Sequence, residues 1–187
     1  MARQLTSRFE EALTFAAQLH SKQTRKGTTI PYIAHLLAVA SLVITHGGDE
    51  DEAIAALLHD AVEDCGPHTR DIIRRRFSEQ IMSIVEGCTD TDVTPKPAWR
   101  ERKERYLNHL GVASPSVQLV AAADKLDNVR AIVSDFREIG PTIWERFNAG
   151  KQDQLWFYRG CVSALQHGGR NSIVLELDRA VREMEQL

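Results

Sequence analysis

The sequence is poor in the features of secreted, membrane-spanning or nucleic-acid-binding proteins. Its three cysteines, Cys65, Cys88 and Cys161, are odd in number, widely spaced and without a Cys-x-x-Cys pair. They make neither a disulfide framework nor a zinc ribbon, and they suit a reducing cytoplasm. No apolar run approaches the roughly 18 residues of a membrane span, and the N-terminus lacks the apolar core of a signal peptide. There is no basic excess either, since Lys+Arg is 23 and Asp+Glu is 26, a formal charge of −3. That balance argues against a dedicated nucleic-acid binder. A phosphorylated ligand must then be held by a local basic cluster or a metal. The expectation is a soluble, cytoplasmic protein with no nucleic-acid or membrane partner, compatible with a homo-oligomer.

What is present is ordinary globular material: 187 residues, 43% of them hydrophobic. One domain over 1–187 is expected, and a chain of this size buries about 70% of its unfolded surface without needing a staple. All six prolines, and every one of the eleven glycines except Gly160, fall between stretches of helical periodicity. Ser7 and Glu10 read as a capping box opening a helix to about residue 22. Ile33 to His46 reads as a second helix closed by Gly47-Gly48, and Asp49 with Glu52 caps a third running to about Asp64. Shorter helices follow near 69–77 and 79–86. After them come a charged helix over 98–110, a long one from Ser114-Pro115 to about Glu138, and three near 142–148, 152–167 and 172–186. Ser172 to Leu177 has strand propensity but no evident partner strand. The fold class is therefore all-α, with about nine or ten helices. Cys88 to Pro97 is the one long irregular stretch, a candidate lid or binding loop.

The third helix carries His59-Asp60-Ala61-Val62-Glu63-Asp64. On a helix His59 and Asp60 lie about 100° apart, and Glu63 projects between them one turn later. His and Asp can grip one metal while Glu63 stands beside its water; the plain alternative is the solvated face of an amphipathic helix. In the long helix Asp124 and Asn128 share a stripe with Val117, Ala121 and Ala131. An unpaired carboxylate among apolar neighbours costs several kcal/mol, so Asp124 needs a cation, either a metal or an arginine such as Arg25 or Arg130. His35 opens an apolar run, where a satisfied core histidine is the commoner case. Together His35, His59, Asp60 and Asp124 offer two imidazoles and two carboxylates, a donor set suited to Mn²⁺, Fe²⁺ or Zn²⁺.

These residues also carry a resemblance. The segments Arg25-Lys26-Gly27, Pro31 to His35, Ala55 to Asp64, Val85 to Asp90 and Ala123 to Arg130 resemble an HD-superfamily phosphohydrolase. More narrowly they resemble the hydrolase domain of RelA/SpoT homologues, above all the stand-alone small alarmone hydrolases. The likeness covers about 8–167, leaving the helix over 172–186 beyond it. It implies an HD-domain bundle that removes the 3′-pyrophosphate of guanosine tetra- or pentaphosphate. It further implies that His35, His59, Asp60 and Asp124 hold Mn²⁺, that Glu63 orients or deprotonates the attacking water, and that Asp64 supports it. Arg25, Lys26, Tyr32 and Asn128 are then nucleotide contacts, and Lys103, on the charged helix, a contact for pyrophosphate. Synthesis of the alarmone is not expected from a chain of this length. Alternatives are an HD phosphohydrolase for another nucleotide (the adenosine alarmone analogue, NADPH or a nucleoside phosphate) and a catalytically silent nucleotide-binding protein. The chain departs from the family pattern at Leu36, where proline commonly follows the first ligand. It departs again at Asp127, where His or Tyr often precedes the asparagine, and at Ala131, in place of a frequent threonine.

Overall fold

The computed structural model describes residues 4–93, 95–166 and 171–187, the side chain of Asn171 excepted. Thr94 of the expected loop, and residue 167, where the motif-bearing stretch is expected to end, lie outside the described residues. Ten α-helices and one 3-10 helix make up the regular structure of those residues, and the only β pairing among them is an isolated bridge between Thr24 and Pro31.

In chain order the helices are α1 (Ser7–Leu19), α2 (Ile33–Thr45), α3 (Glu50–Leu58), α4 (Ala61–Cys65), α5 (Thr69–Arg76) and α6 (Glu79–Cys88). They continue with α7 (Trp99–Leu110), α8 (Pro115–Ile139), a 3-10 helix (Gly140–Arg146), α9 (Lys151–Leu165) and α10 (Asn171–Glu185). No helix among the described residues is long and apolar enough to cross a membrane.

α3 is the axis of the fold. It packs against α1, α2, α6 and α8. Ala53, Ile54, Ala55, Ala56, Leu57 and Leu58 are all fully buried. A helix apolar all round belongs in an interior, and its three alanines let the neighbours approach closely. Its entry is the expected capping box: Asp49 Oδ1 accepts from Glu52 N and Asp49 N donates to Glu52 Oε2, both at 2.9 Å. The 25-residue α8 lies across α2, α3, α6 and α9 and takes α10 along its length. Its start is fixed by Ser114 Oγ, which accepts from Val117 N at 3.3 Å, with Pro115 in the first turn where no N–H is needed.

Three local expectations change. The cap of α1 is Thr6, not Ser7, because Thr6 Oγ1 accepts from Arg8 N and Glu50 is drawn in to take the Thr6 N–H at 2.5 Å. α1 stops at Leu19, where His20 N returns to Ala16 O, rather than near residue 22. Ser172 to Leu177 is helical as expected, its strand propensity notwithstanding: Ile173, Val174, Leu177, Val181 and Met184 form one buried stripe on a helix packed against α8 and α9. Gly87 is inside α6, since Val117 of α8 sits where its Cβ would be, at 2.5 Å. The glycine at 87 lets α6 and α8 touch beside the site described next.

Candidate active site

The expected single helix from Asp49 to Asp64 is broken. α3 ends at Leu58 and α4 begins at Ala61, so His59 and Asp60 form the turn between them. Asp60 sits at φ −94°, ψ −3°, the sparsely populated bridge region found at many functional turns. His59 Nδ1 donates to Ala56 O at 2.8 Å, which leaves Nε2 as the lone-pair nitrogen of the neutral ring. In the first turn of α2, His35 Nδ1 donates to Asp127 Oδ2 at 2.7 Å, with the same consequence. Both rings are buried and aim Nε2 at the same place.

That place is walled by carboxylates. Asp124 Oδ1 lies 3.4 Å from His35 Nε2 and 3.8 Å from His59 Nε2. Asp60 Oδ2 lies 3.6 Å and 3.1 Å from the same two nitrogens. The ligand atoms of His35, His59 and Asp124 fall within 4.8 Å of one another, as needed to hold one metal ion. His59 Nε2 is buried with no aligned hydrogen-bond partner. Two lone pairs facing two carboxylates call for a cation, and imidazole and carboxylate donors without thiolate fit a divalent ion of the Mn²⁺, Fe²⁺ or Zn²⁺ class. Titration carries the same sign. Burial opposes charge on His59, but Asp60 and Asp124 outweigh it and push its pKa up to about 10. His35 moves the same way, with burial again outweighed, by Asp124, Asp127 and Asp60. Asp60 and Asp124 stay well below the ordinary carboxylate range although burial acts against them: His59 and His35 hold Asp60 down, and Lys125 and the two histidines hold Asp124 down.

A second ring of side chains grips the first. The Tyr32 hydroxyl donates to Asp60 Oδ2, and Asn128 Nδ2 donates to Asp124 Oδ1, each at 2.5 Å. Lys125 Nζ lies 2.5 Å from Asp124 Oδ2. The protein cation on Asp124 is therefore its chain neighbour; Arg130 pairs with Glu176 at 2.7 Å and Arg25 with Asp127 at 2.6 Å. Glu63 Oε1 accepts from Lys96 Nζ at 2.8 Å, and Asp64 Oδ2 accepts from Gln23 Nε2 at 2.8 Å. Burial, and after it the Asp60 charge, raises the Asp64 pKa.

Beside this group opens a cavity of about 440 Å³ lined by Arg25, Lys26, Tyr32, Asp127, Asn128, Ala131, Arg146 and Tyr158, among others. Four of the five expected nucleotide contacts thus share one wall system, and Tyr32, Asp127 and Asn128 belong both to the cavity and to the ring around the metal group. Arg25 and Lys26 stand on a turn whose backbone closes through Arg25 N to Ile30 O at 2.9 Å and Tyr32 N to Gln23 O at 2.9 Å. Gly27 at the tip has φ +72°, the conformation that requires glycine, and a Cβ there would also press on the Arg146 side chain, whose Cδ would lie 2.7 Å away. Lys103 is placed differently from the other four. Its Nζ is 3.0 Å from Asp90 Oδ2 and 4.5 Å from the centre of the Phe157 ring. Burial and the nearby Lys125 ammonium lower its pKa. Asp90 also binds Arg102, and Arg70 holds Asp92 at 2.7 Å, so the stretch after α6 is pinned at both acids.

Sequence reasoning passed over Lys125, Lys96, Gln23 and Arg146. Lys125 adjoins Asp124 and needed only the question of which cation lies nearest. Gln23, Lys96 and Arg146 sit in loops or a 3-10 turn, where no periodicity aims a side chain.

The HD domain family matches residues 12–155. The chain belongs to the HD domain family. Among its relatives in this HD-domain family is the mouse (Mus musculus) guanosine-3′,5′-bis(diphosphate) 3′-pyrophosphohydrolase MESH1, 40% identical over 179 residues, which cover 93% of this chain and 90% of the relative. The Drosophila melanogaster protein of the same name is 30% identical over 98% of both chains. A solved HD-domain structure described as a metazoan ortholog of SpoT that hydrolyses ppGpp superposes with a TM-score of 0.80 at 28% identity, over the full length of both chains.

Proposed function

We propose that the chain is a divalent-metal-dependent pyrophosphohydrolase that cleaves the 3′-pyrophosphate from guanosine tetra- or pentaphosphate, releasing pyrophosphate and leaving GDP or GTP. The observation that carries this reading is the shared wall: the cavity that fits a nucleoside and the His–His–carboxylate group that fits a metal have Tyr32, Asp127 and Asn128 in common. The relatives' activity supports the same substrate class.

In this reading His35, His59, Asp60 and Asp124 hold the ion, with Mn²⁺ the expected occupant. When bound, a divalent ion lowers the pKa of water towards about 7 and neutralises charge on phosphoryl oxygens. The chain's own residues do the rest. Glu63, held by Lys96 one turn after Asp60, orients the attacking water and takes its proton. Asp64, raised by burial and the Asp60 charge, supports that position from the Gln23 side. Arg25 and Lys26 supply positive charge and a planar face to the nucleotide in the cavity that Tyr158 also lines. Asn128 and Tyr32 orient the carboxylates while facing the sugar. Lys103 reaches a pyrophosphate only by leaving Asp90. The functional unit spans 1–187, works in the cytoplasm and is compatible with a homo-oligomer.

The test is a panel of ppGpp, the adenosine analogue, NADPH and nucleoside monophosphates with Mn²⁺-loaded protein, with products separated by anion exchange. GDP plus pyrophosphate from ppGpp is expected. No cleavage of ppGpp while another nucleotide is turned over sinks the substrate assignment; no cleavage of any member sinks the enzyme assignment.

A further inference from the structure

Asp127 is not among the residues that hold the metal in the proposal above, yet it touches both halves of the site. A single oxygen, Oδ2, accepts from His35 Nδ1 at 2.7 Å and from Arg25 Nη1 at 2.6 Å. The other arm of the Arg25 guanidinium, Nη2, donates to Asn128 Oδ1 at 3.2 Å, and Asn128 Nδ2 donates to Asp124 Oδ1 at 2.5 Å. Arg25 is therefore linked to two members of the metal group, each time through one intervening side chain. The side chains of Asp127 and Arg25 each keep 18% exposure, enough to face the cavity and little enough to be screened weakly by solvent.

We propose that Asp127 is a positioning residue that couples the metal centre to the nucleotide cavity: it fixes the His35 tautomer that presents Nε2 to the ion, and it aims Arg25 across the cavity. This rests on the metal-dependent reading given above. A carboxylate on the far nitrogen of a ligating imidazole orients the ring and raises its basicity, and losing such a partner typically weakens metal binding about 10- to 100-fold. On the Arg25 side the same oxygen supplies a charge-assisted bond to one arm of a planar fork, fixing the plane of the guanidinium. Asn128 holds the second arm, so Arg25 without Asp127 keeps one tether and loses its direction.

The experiment measures Mn²⁺ affinity by competition with a fluorescent chelator for the wild type, Asp127→Ala, Asp127→Asn and Arg25→Ala, with KM for ppGpp on the same proteins. Asp127→Ala is expected to weaken Mn²⁺ about 10- to 100-fold. Asp127→Asn keeps an acceptor for His35 and should fall between Ala and wild type. Arg25→Ala should leave Mn²⁺ affinity within about threefold while raising KM, and adding Asp127→Ala to it should raise KM no further than Arg25→Ala alone, because Asp127 acts on the nucleotide through Arg25. Thermal unfolding in a chelator separates a folding defect from a ligand effect, and Asp127→Asn carries the test if the alanine variant does not fold. Wild-type protein that binds Mn²⁺ one to one, with both Asp127 variants within about twofold of it, overturns the inference and leaves the metal-dependent reading standing. Wild-type protein that binds no divalent metal overturns both.

Discussion

The Tyr32 hydroxyl donates to Asp60 Oδ2 at 2.5 Å, joining the cavity wall at the start of α2 to the turn between α3 and α4. Burial and the Asp60 charge both raise the Tyr32 pKa, so the phenol stays a donor at any ordinary pH. Asp60 keeps 22% side-chain exposure, and the tyrosine hydroxyl holds its Oδ2 beside the two imidazoles. Tyr32→Phe leaves the ring stacked on His20 at 5.3 Å and removes only the hydroxyl. The expected result is Mn²⁺ affinity lower by about tenfold with the unfolding temperature in chelator little changed, since a lost orienting partner acts on the metal. Chelator competition and differential scanning fluorimetry measure the two.

Glu63 and Lys96 form a 2.8 Å ion pair with Lys96 half exposed. Glu63→Gln preserves size and hydrogen bonding but removes the base, and kcat should fall about 10²- to 10⁴-fold with Mn²⁺ content unchanged by elemental analysis. Lys96→Ala should shift stability by less than about 1 kcal/mol in urea unfolding, because an exposed pair contributes little. A Glu63→Gln enzyme with wild-type kcat would remove Glu63 from the mechanism.

Asp90 is an expensive side chain to remove. It neutralises Arg102 and Lys103, and the three side chains are 8%, 11% and 17% exposed. Asp90→Ala leaves two cations facing each other in a poorly hydrated space. A loss of about 3–5 kcal/mol in urea unfolding is expected. A loss below about 1 kcal/mol would mean that the pair behaves as a surface bridge.

Gly87→Ala should destabilise even though alanine is the better helix former by about 1 kcal/mol. The added Cβ would lie 2.5 Å and 2.9 Å from the two γ-carbons of Val117, a β-branched side chain with little rotamer freedom. Overpacking of about 1–3 kcal/mol then outweighs the propensity gain. Equilibrium unfolding of the single variant gives the sign directly.

Much of this was legible in the sequence, for identifiable reasons. Helix boundaries followed caps and breakers, so Asp49 with Glu52 and Ser114 with Pro115 were correct to the residue. The break at His59-Asp60 was not legible, because no glycine or proline marks it and its cause is tertiary: His59 returns to Ala56 O while Asp60 is taken by Tyr32. Asp124 was flagged by the cost of burying a carboxylate, and the structure gives it Lys125 and two imidazoles. Asp127 stood out in the sequence only as a departure from a pattern. Its partners, His35 and Arg25, are 92 and 102 residues away, a distance no local rule spans. Gly160, the glycine expected inside a helix, lies in α9 with Leu107 of α7 at 2.6 Å from where its Cβ would be, a packing reason invisible to periodicity.

The most direct test of the account is hydrolysis of ppGpp by the Mn²⁺-loaded protein in ¹⁸O-labelled water, with the label located by mass spectrometry. Water is expected to attack the phosphorus bonded to the ribose 3′-oxygen, breaking that P–O bond and returning a proton to the 3′-oxygen. The account predicts one labelled oxygen in pyrophosphate, an unlabelled GDP with a free 3′-hydroxyl, and loss of turnover in chelator or in Glu63→Gln. Labelled orthophosphate as the product, or turnover that survives complete metal removal, would contradict it.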